Sequence, residues 1–259
     1  MTGGSVLDAG VSAHELVDRL DGEGFVCLPG VVAPQWLEDA RASVSGHLAA
    51  YGVSDFCIIR PDSDSQSPAH RFVSDPAVHG LLRELAELRW PRGVAESETI
   101  FSVLRVLAGP QRMATSHAFH FDAAVVTMLV PLIIPEAGAG RSGELVVFPN
   151  RRPFRRSALL NLVEKLWTES RLRRGRILRE VRSAPTRCTV QLQPGSVYLF
   201  WGYRTLHGNL PCAPDTVRAT LLVHFGDPHR TSRLIASARA LRRRLWASIE
   251  HTEATVVRF

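Results

Sequence analysis

Between residues 97 and 225 the chain runs through one strand-like segment after another, and this succession constrains its fold more than any other feature. Residues 99–107, 118–130, 144–148, 189–192, 196–201 and 216–225 are rich in branched and aromatic side chains, and several are bounded by Gly, Pro or Asn. Parallel strands need a crossover of a dozen or more residues, usually a helix, between successive members. No regular alternation of strand and helix is written here. The pattern predicts a mainly β, antiparallel sandwich or barrel with flanking helices.

The flanks read as helical. Ser12 and Glu15 stand at capping-box spacing before Leu16, Val17 and Leu20, and Gly22 and Gly24 end that helix. Residues 25–28 form a strand closed by Pro29-Gly30. Pro34 suits the first turn of a second helix through Trp36, Leu37, Ala40, Val44 and Leu48, ending before Gly52. Residues 56–59 read as a short strand and 62–67 as a polar loop. Asp75-Pro76 then opens a third helix through Val78, Leu82 and Leu85. A last helix is expected over 231–250, with Leu234, Ala238, Leu241 and Leu245 along one stripe. Without a repeat or a low-complexity linker, the 259 residues read as a single domain, 1–259. Its parts are a mostly helical 1–96, a β core over 97–225 and the C-terminal helix.

Four cysteines, Cys27, Cys57, Cys188 and Cys212, lie far apart with no C-x-x-C pair. That argues against a disulfide framework or a structural zinc site and suits a reducing cytoplasm. Residues 1–5 lack a basic stretch leading into an apolar core, and no apolar run is long enough to span a bilayer. A soluble, cytoplasmic protein without a membrane partner is expected.

Chemistry concentrates on His120-Phe121-Asp122. On extended backbone residues i and i+2 share a face, so His120 and Asp122 offer an imidazole and a carboxylate to one point while Phe121 faces away. By itself His-x-Asp is common. A second histidine would complete a 2-His-1-carboxylate triad, the set that holds Fe(II) on one face. His207 qualifies: it follows the 196–201 strand, Gly208 permits close backbone approach, and Asn209 can hold a turn. Eleven residues further on, Arg218 opens the last strand and shares a face with Thr220. A guanidinium fork beside a hydroxyl suits a carboxylate ligand, and Arg inside a barrel needs an anionic partner. His224 lies on the same face, as a substrate contact or as a hydrogen-bonded core histidine.

Taken together, His120-x-Asp122, His207 and Arg218 resemble the Fe(II)/2-oxoglutarate-dependent oxygenases, specifically the phytanoyl-CoA dioxygenase-like group. The segment 22–32 is similar to that group's N-terminal signature. Residues 143–150, Gly-Glu-Leu-Val-Val-Phe-Pro-Asn, resemble its Gly-x-Leu-x-x-x-Pro-Gly-Ser-His segment, and Gly195-Ser196-Val197 fits its late strand. The resemblance implies a double-stranded β-helix (a cupin-like jelly roll) and an enzyme. His120, Asp122 and His207 would ligate Fe(II). Arg218, helped by Thr220, would pair with the distal carboxylate of 2-oxoglutarate, and Thr127 could also reach this co-substrate. With O2 and a small-molecule substrate, the expected outcome is hydroxylation with release of succinate and CO2. Related halogenases carry Gly or Ala at the position of Asp122, so the carboxylate favours hydroxylation over halogenation, with desaturation and ring closure open beside it. Asn150-Arg151-Arg152 departs from the group's Gly-Ser-His, so substrate choice does not transfer. Phe119, Phe121 and Trp201 are candidates to line an apolar pocket.

Residues 151–187 hold eleven arginines and Lys165 against three glutamates, a local charge of +9 in a chain of net +6. This insertion is either a solvated helical surface or a lid or docking face for an anionic substrate. It lacks the aromatic interleaving of a base-stacking surface, which argues against nucleic acid. The alternative to an enzyme is a non-catalytic jelly-roll binding module that uses this insertion to engage RNA or an acidic partner.

Overall fold

The computed structural model describes residues 5–8, 10–108, 119–153, 171–228 and 255–258. Two antiparallel sheets face each other. The larger has seven strands in the order β1-β7-β4-β9-β3-β2-β10: Phe25–Leu28 (β1), Phe56–Ile59 (β2), Phe101–Ala108 (β3), Val126–Ile133 (β4), Val197–Phe200 (β7), Val217–Phe225 (β9) and Thr255–Arg258 (β10). The smaller has the order β6-β5-β8, from Thr189–Val190 (β6), Leu145–Phe148 (β5) and Leu206–Asn209 (β8). Two facing antiparallel sheets are the expected jelly-roll architecture.

Period-two alternation sorts the strands into faces. Leu129, Tyr198, Phe200 and Leu222 of the large sheet meet Leu145 and Val147 of the small one and form the lumen between them. Their strand neighbours Met128, Val130, Leu199, Leu221 and Val223 point outward into a second core under the N-terminal helices. That core takes in Leu16 and Leu20 from Ala13–Gly22 (α1), Trp36 and Val44 from Pro34–Tyr51 (α2), Phe72 from Pro68–Val73 (α3) and Leu82 and Leu85 from Pro76–Arg89 (α4). Each fully buried leucine there contributes about 2 kcal/mol. The starts of α1 and α4 are fixed by capping: Ser12 Oγ accepts from Glu15 N–H at 3.2 Å, and Asp75 Oδ1 accepts from Ala77 N–H at 2.8 Å.

The outer face of the small sheet carries a third cluster, in which Val146, Phe148 and Leu206 meet Ile177 and Val181 of the helix Arg171–Ser183 (α5). The described part of the basic insertion therefore packs an apolar edge on the side of the sheet turned away from the lumen. Its Arg176, Arg179 and Arg182 are exposed.

Several expectations need correction. Residues 118–130 are not one strand: β4 begins at Val126, and the chain bends over 123–125. β4 runs on through Pro131, where the register shift between Pro131 and Ile133 places the residue without an N–H at a bulge. The polar stretch expected to be a loop holds a 3-10 turn, Pro61–Ser63, and leads into the unanticipated α3. Strand β10 pairs with β2 and was not foreseen. The C-terminal helix expected over 231–250 lies outside the described residues. None of the four cysteines is in a disulfide, and among the described residues no helix is long and apolar enough to cross a membrane.

Candidate active site

His120, Asp122 and His207 converge, with one potential ligand atom from each within 4.8 Å of the others. Two different elements deliver them. His120 forms an isolated bridge with His207 of β8, and each residue's N–H donates to the other's carbonyl, at 2.9 and 3.0 Å. Because Leu206 and Phe121 pack on the outer cluster, His207 and the His120/Asp122 pair are turned to the inner side, as the alternation predicts. Asp122 is pinned by its own N–H, which donates to the Gly202 carbonyl at 3.0 Å. His120 Nε2 lies 3.4 Å from Asp122 Oδ1, and His207 Nε2 lies 3.6 Å from Oδ2. The His120 side chain is 45% exposed whereas those of Asp122 and His207 are 9% and 6%, so the cluster opens to solvent on the His120 side.

Donor chemistry is set by the surroundings. The Thr205 carbonyl lies 3.2 Å from His207 Nδ1, so that nitrogen carries the proton and Nε2 keeps its lone pair for the cluster. Burial pushes His207 down to about 4, against the opposing pull of Asp122, so the imidazole is neutral at neutral pH. Burial alone would raise Asp122; the imidazoles of His207, His224 and His120 outweigh it and hold the carboxyl well below the usual range. Neutral imidazoles and an ionised carboxylate are the protonation states a first-row metal requires, and two nitrogens with one oxygen fit Fe(II).

The other end of the lumen is built around Arg218, which is 2% exposed. Its Nε–H donates to the Gly143 carbonyl at 2.9 Å, and Nη1 lies 3.4 Å from Thr220 Oγ1. Gly143 has φ +67°, and a Cβ there would come within 2.5 Å of Arg218 Cδ, so only glycine lets the backbone approach and orient the guanidinium. Burial and the nearby charge of Arg105 push Arg218 down to about 10, which leaves it protonated at neutral pH. Arg105 of β3 pairs in register with Thr220 and so shares the inner face.

The sequence-predicted residues thus divide. His120, Asp122 and His207 come together, and Arg218 and Thr220 sit side by side in the lumen wall. Thr127 does not join them: its hydroxyl donates to Asp122 Oδ2 at 2.6 Å. His224 stands beside the cluster, with Nδ1 3.6 Å from Asp122 Oδ2. Arg105 and Gly143 were not singled out; an Arg at an inner position of an apolar strand, with Val106 facing out, was the available signal for the first. The proposed aromatic lining is wrong. Trp201 faces the helices and donates Nε1–H to Asp21 at 2.8 Å, and Phe119 and Phe121 pack on the outer side, where Arg152 stacks on the Phe121 ring at 4.0 Å. Among the described residues the lumen aromatics are Tyr198 and Phe200, with Phe25 against them. Asn150, at the departure from the family pattern, donates Nδ2–H to the carbonyls of Leu20 and Asp21 at 3.1 Å and so ties the loop after β5 to the end of α1.

Comparison with solved structures fixes the architecture. The chain is similar to the non-heme alpha-ketoglutarate-dependent epimerase SnoN of nogalamycin biosynthesis, at 18% identity and TM-score 0.56, over 83% of each chain. It is also similar to a Pseudomonas putida prolyl-4-hydroxylase, at 14% identity and TM-score 0.50, over 83% of this chain and 99% of that one. A prolyl hydroxylase from Trichoplax adhaerens matches at 14% identity and TM-score 0.51, over 88% and 91%. The shared fold is the double-stranded β-helix. SnoN has been solved with Fe3+ and alpha-ketoglutarate. No family model and no curated protein sequence matches the chain.

Proposed function

We propose that this protein is an Fe(II)- and 2-oxoglutarate-dependent oxygenase. In this reading it hydroxylates an unactivated C–H bond of a small or carrier-linked anionic metabolite and releases succinate and CO2. The observation that carries the reading is one lumen with a His-Asp-His donor set at one end and a buried, correctly oriented arginine at the other. Assignment to the phytanoyl-CoA dioxygenase-like group rests on the sequence segments 22–32 and 143–150.

His120, Asp122 and His207 would hold the iron, which supplies oxygen activation coupled to decarboxylation of the keto acid. The protein's own contribution is placement. Arg218 binds the distal carboxylate of 2-oxoglutarate through its Nη groups while Gly143 holds Nε, and the Thr220 hydroxyl offers a further donor. Leu129, Tyr198, Phe200 and Leu222 wall the lumen and exclude water from the keto acid. The Thr205 carbonyl keeps the His207 ring in one tautomer and one orientation. The anionic character of the substrate rests on the local charge of +9 over residues 151–187, whose described helix α5 packs on the outer side of the small sheet. A non-catalytic binding module would have no use for three ligands converging at the end of a lumen or for Arg218 inside it.

The test is succinate formation from 2-oxoglutarate in air, with ferrous iron and a panel of anionic metabolites, for the wild type and Asp122→Ala. Substrate-stimulated succinate release that the variant lacks is expected. A wild type that gives no succinate with or without substrates, while binding RNA or acidic proteins in a salt-dependent way, contradicts the reading.

A further inference from the structure

Three residues outside the ligand set close around the Asp122 carboxylate. The Thr127 hydroxyl lies 2.6 Å from Asp122 Oδ2. His224 Nδ1 lies 3.1 Å from the same hydroxyl. Gly202 accepts the Asp122 N–H, and a Cβ on it would come within 2.4 Å of Thr127 Oγ1 and 3.0 Å of Asp122 Cβ. Cross-strand register brings them together, since Thr127 of β4 is opposite Phe200 on one side and His224 of β9 on the other.

The donor inventory fixes the direction of each contact. An ionised carboxylate only accepts, so Thr127 donates its single hydroxyl hydrogen to Oδ2. Thr127 Oγ1, having given its hydrogen away, must then accept from His224, which therefore carries its hydrogen on Nδ1. The Nδ1 lone pair is thereby removed from metal binding, and the relay runs His224 Nδ1–H to Thr127 Oγ1–H to Asp122 Oδ2. Oδ1 is the oxygen that faces His120 Nε2, at 3.4 Å.

We propose that Thr127, His224 and Gly202 form a positioning cradle that occupies Asp122 Oδ2, so that the carboxylate offers Oδ1 alone to the metal. This rests on the reading of His120, Asp122 and His207 as an iron site. Thr127 and His224 are positioning residues that act through Asp122. Gly202 serves by having no side chain, since any Cβ there would push the Thr127 hydroxyl off the carboxylate. Outer hydrogen-bond partners of metal ligands typically change metal affinity by about 10–100-fold.

The experiment measures metal dissociation constants anaerobically, by chelator competition with Fe(II) and Co(II). It also records the visible spectrum of the Co(II)-loaded protein, which responds to one-oxygen against two-oxygen carboxylate binding. Thr127→Val removes the hydroxyl at nearly constant shape, and Thr127→Ser restores it. His224→Leu removes the Nδ1 donor, and His224→Asn supplies an N–H at nearly the same place. The Val, Leu and Gly202→Ala variants are expected to bind metal about 10–100-fold more weakly with an altered Co(II) spectrum, and the Ser and Asn variants to resemble wild type. Wild-type affinity and spectrum in Thr127→Val overturn the cradle while leaving the iron reading intact. So does failure of Ser to rescue, which would make the methyl group responsible. A wild type that binds neither metal overturns both.

Discussion

The two ends of the lumen solve opposite electrostatic problems. At the His120/Asp122/His207 end an anion, Asp122, is flanked by the buried, neutral His207 imidazole, by two further imidazoles and by a hydroxyl, an arrangement suited to a cation. At the Arg218 end a cation is held by a backbone carbonyl and faces a hydroxyl, and Glu144 acts on it through space without an ion pair among the described residues. Glu144 Oε1 instead accepts the Gly140 N–H at 2.6 Å. The first end fits a metal and the second fits a carboxylate. A single small molecule satisfies both when it chelates at one end and carries a negative charge at the other, which is the chemistry of a 2-oxo diacid.

Substitutions should separate the ends. The largest effect is expected from Asp122→Ala, which removes the anion: iron affinity should fall by more than about 100-fold, beyond what loss of an outer partner causes. Chelator competition measures it, and an affinity within a few-fold of wild type would break the contrast. Next comes Arg218→Leu, which should raise the KM for 2-oxoglutarate by about 10–100-fold, the worth of a charge-assisted hydrogen bond, while leaving iron affinity unchanged. An iron affinity that fell in parallel would mean that the two ends are not independent. Gly143→Ala tests how the second end is oriented: the added Cβ must displace Arg218, and the KM should rise by a smaller, roughly few-fold amount. The smallest effect concerns pH. Burial depresses His207 from 6.5 to about 4 in the folded apoprotein, so between these values the unfolded chain binds more protons than the folded one. Apoprotein stability should therefore hold above about pH 6.5 and decline by about 1 kcal/mol on going to about pH 5.5, measured by denaturant titration. Bound metal, which requires the neutral imidazole, should oppose that decline.

The two ends were also unequally legible in the sequence. Arg218 and Thr220 lie two residues apart on one strand, so period-two alternation suffices to place both inside. His120 and Asp122 follow the same rule, although the strand assumed to carry them breaks before Val126. The cradle behind Asp122 could not be read this way. Phe200, Thr127 and His224 meet because three strands far apart in sequence align in one row, and register across strands leaves no local trace. The aromatics misled for a related reason: Phe119, Phe121 and Trp201 sit close to the ligands in sequence, yet alternation sends the first two outward and the turn sends Trp201 to Asp21. The basic insertion shows the limit of charge counting. Its composition announced a cationic surface, but only the packing of Ile177 and Val181 reveals that α5 covers the outer face of the small sheet.

The most direct test of the two-ended lumen is anaerobic binding of 2-oxoglutarate and of pyruvate to the Fe(II)-loaded protein. Both keto acids can chelate, but only the first carries a distal carboxylate for Arg218. The account predicts one 2-oxoglutarate per chain, bound about 10–100-fold more tightly than pyruvate, with that preference lost in Arg218→Leu. Equal affinity for the two acids, or 2-oxoglutarate binding that is indifferent to iron, would contradict it.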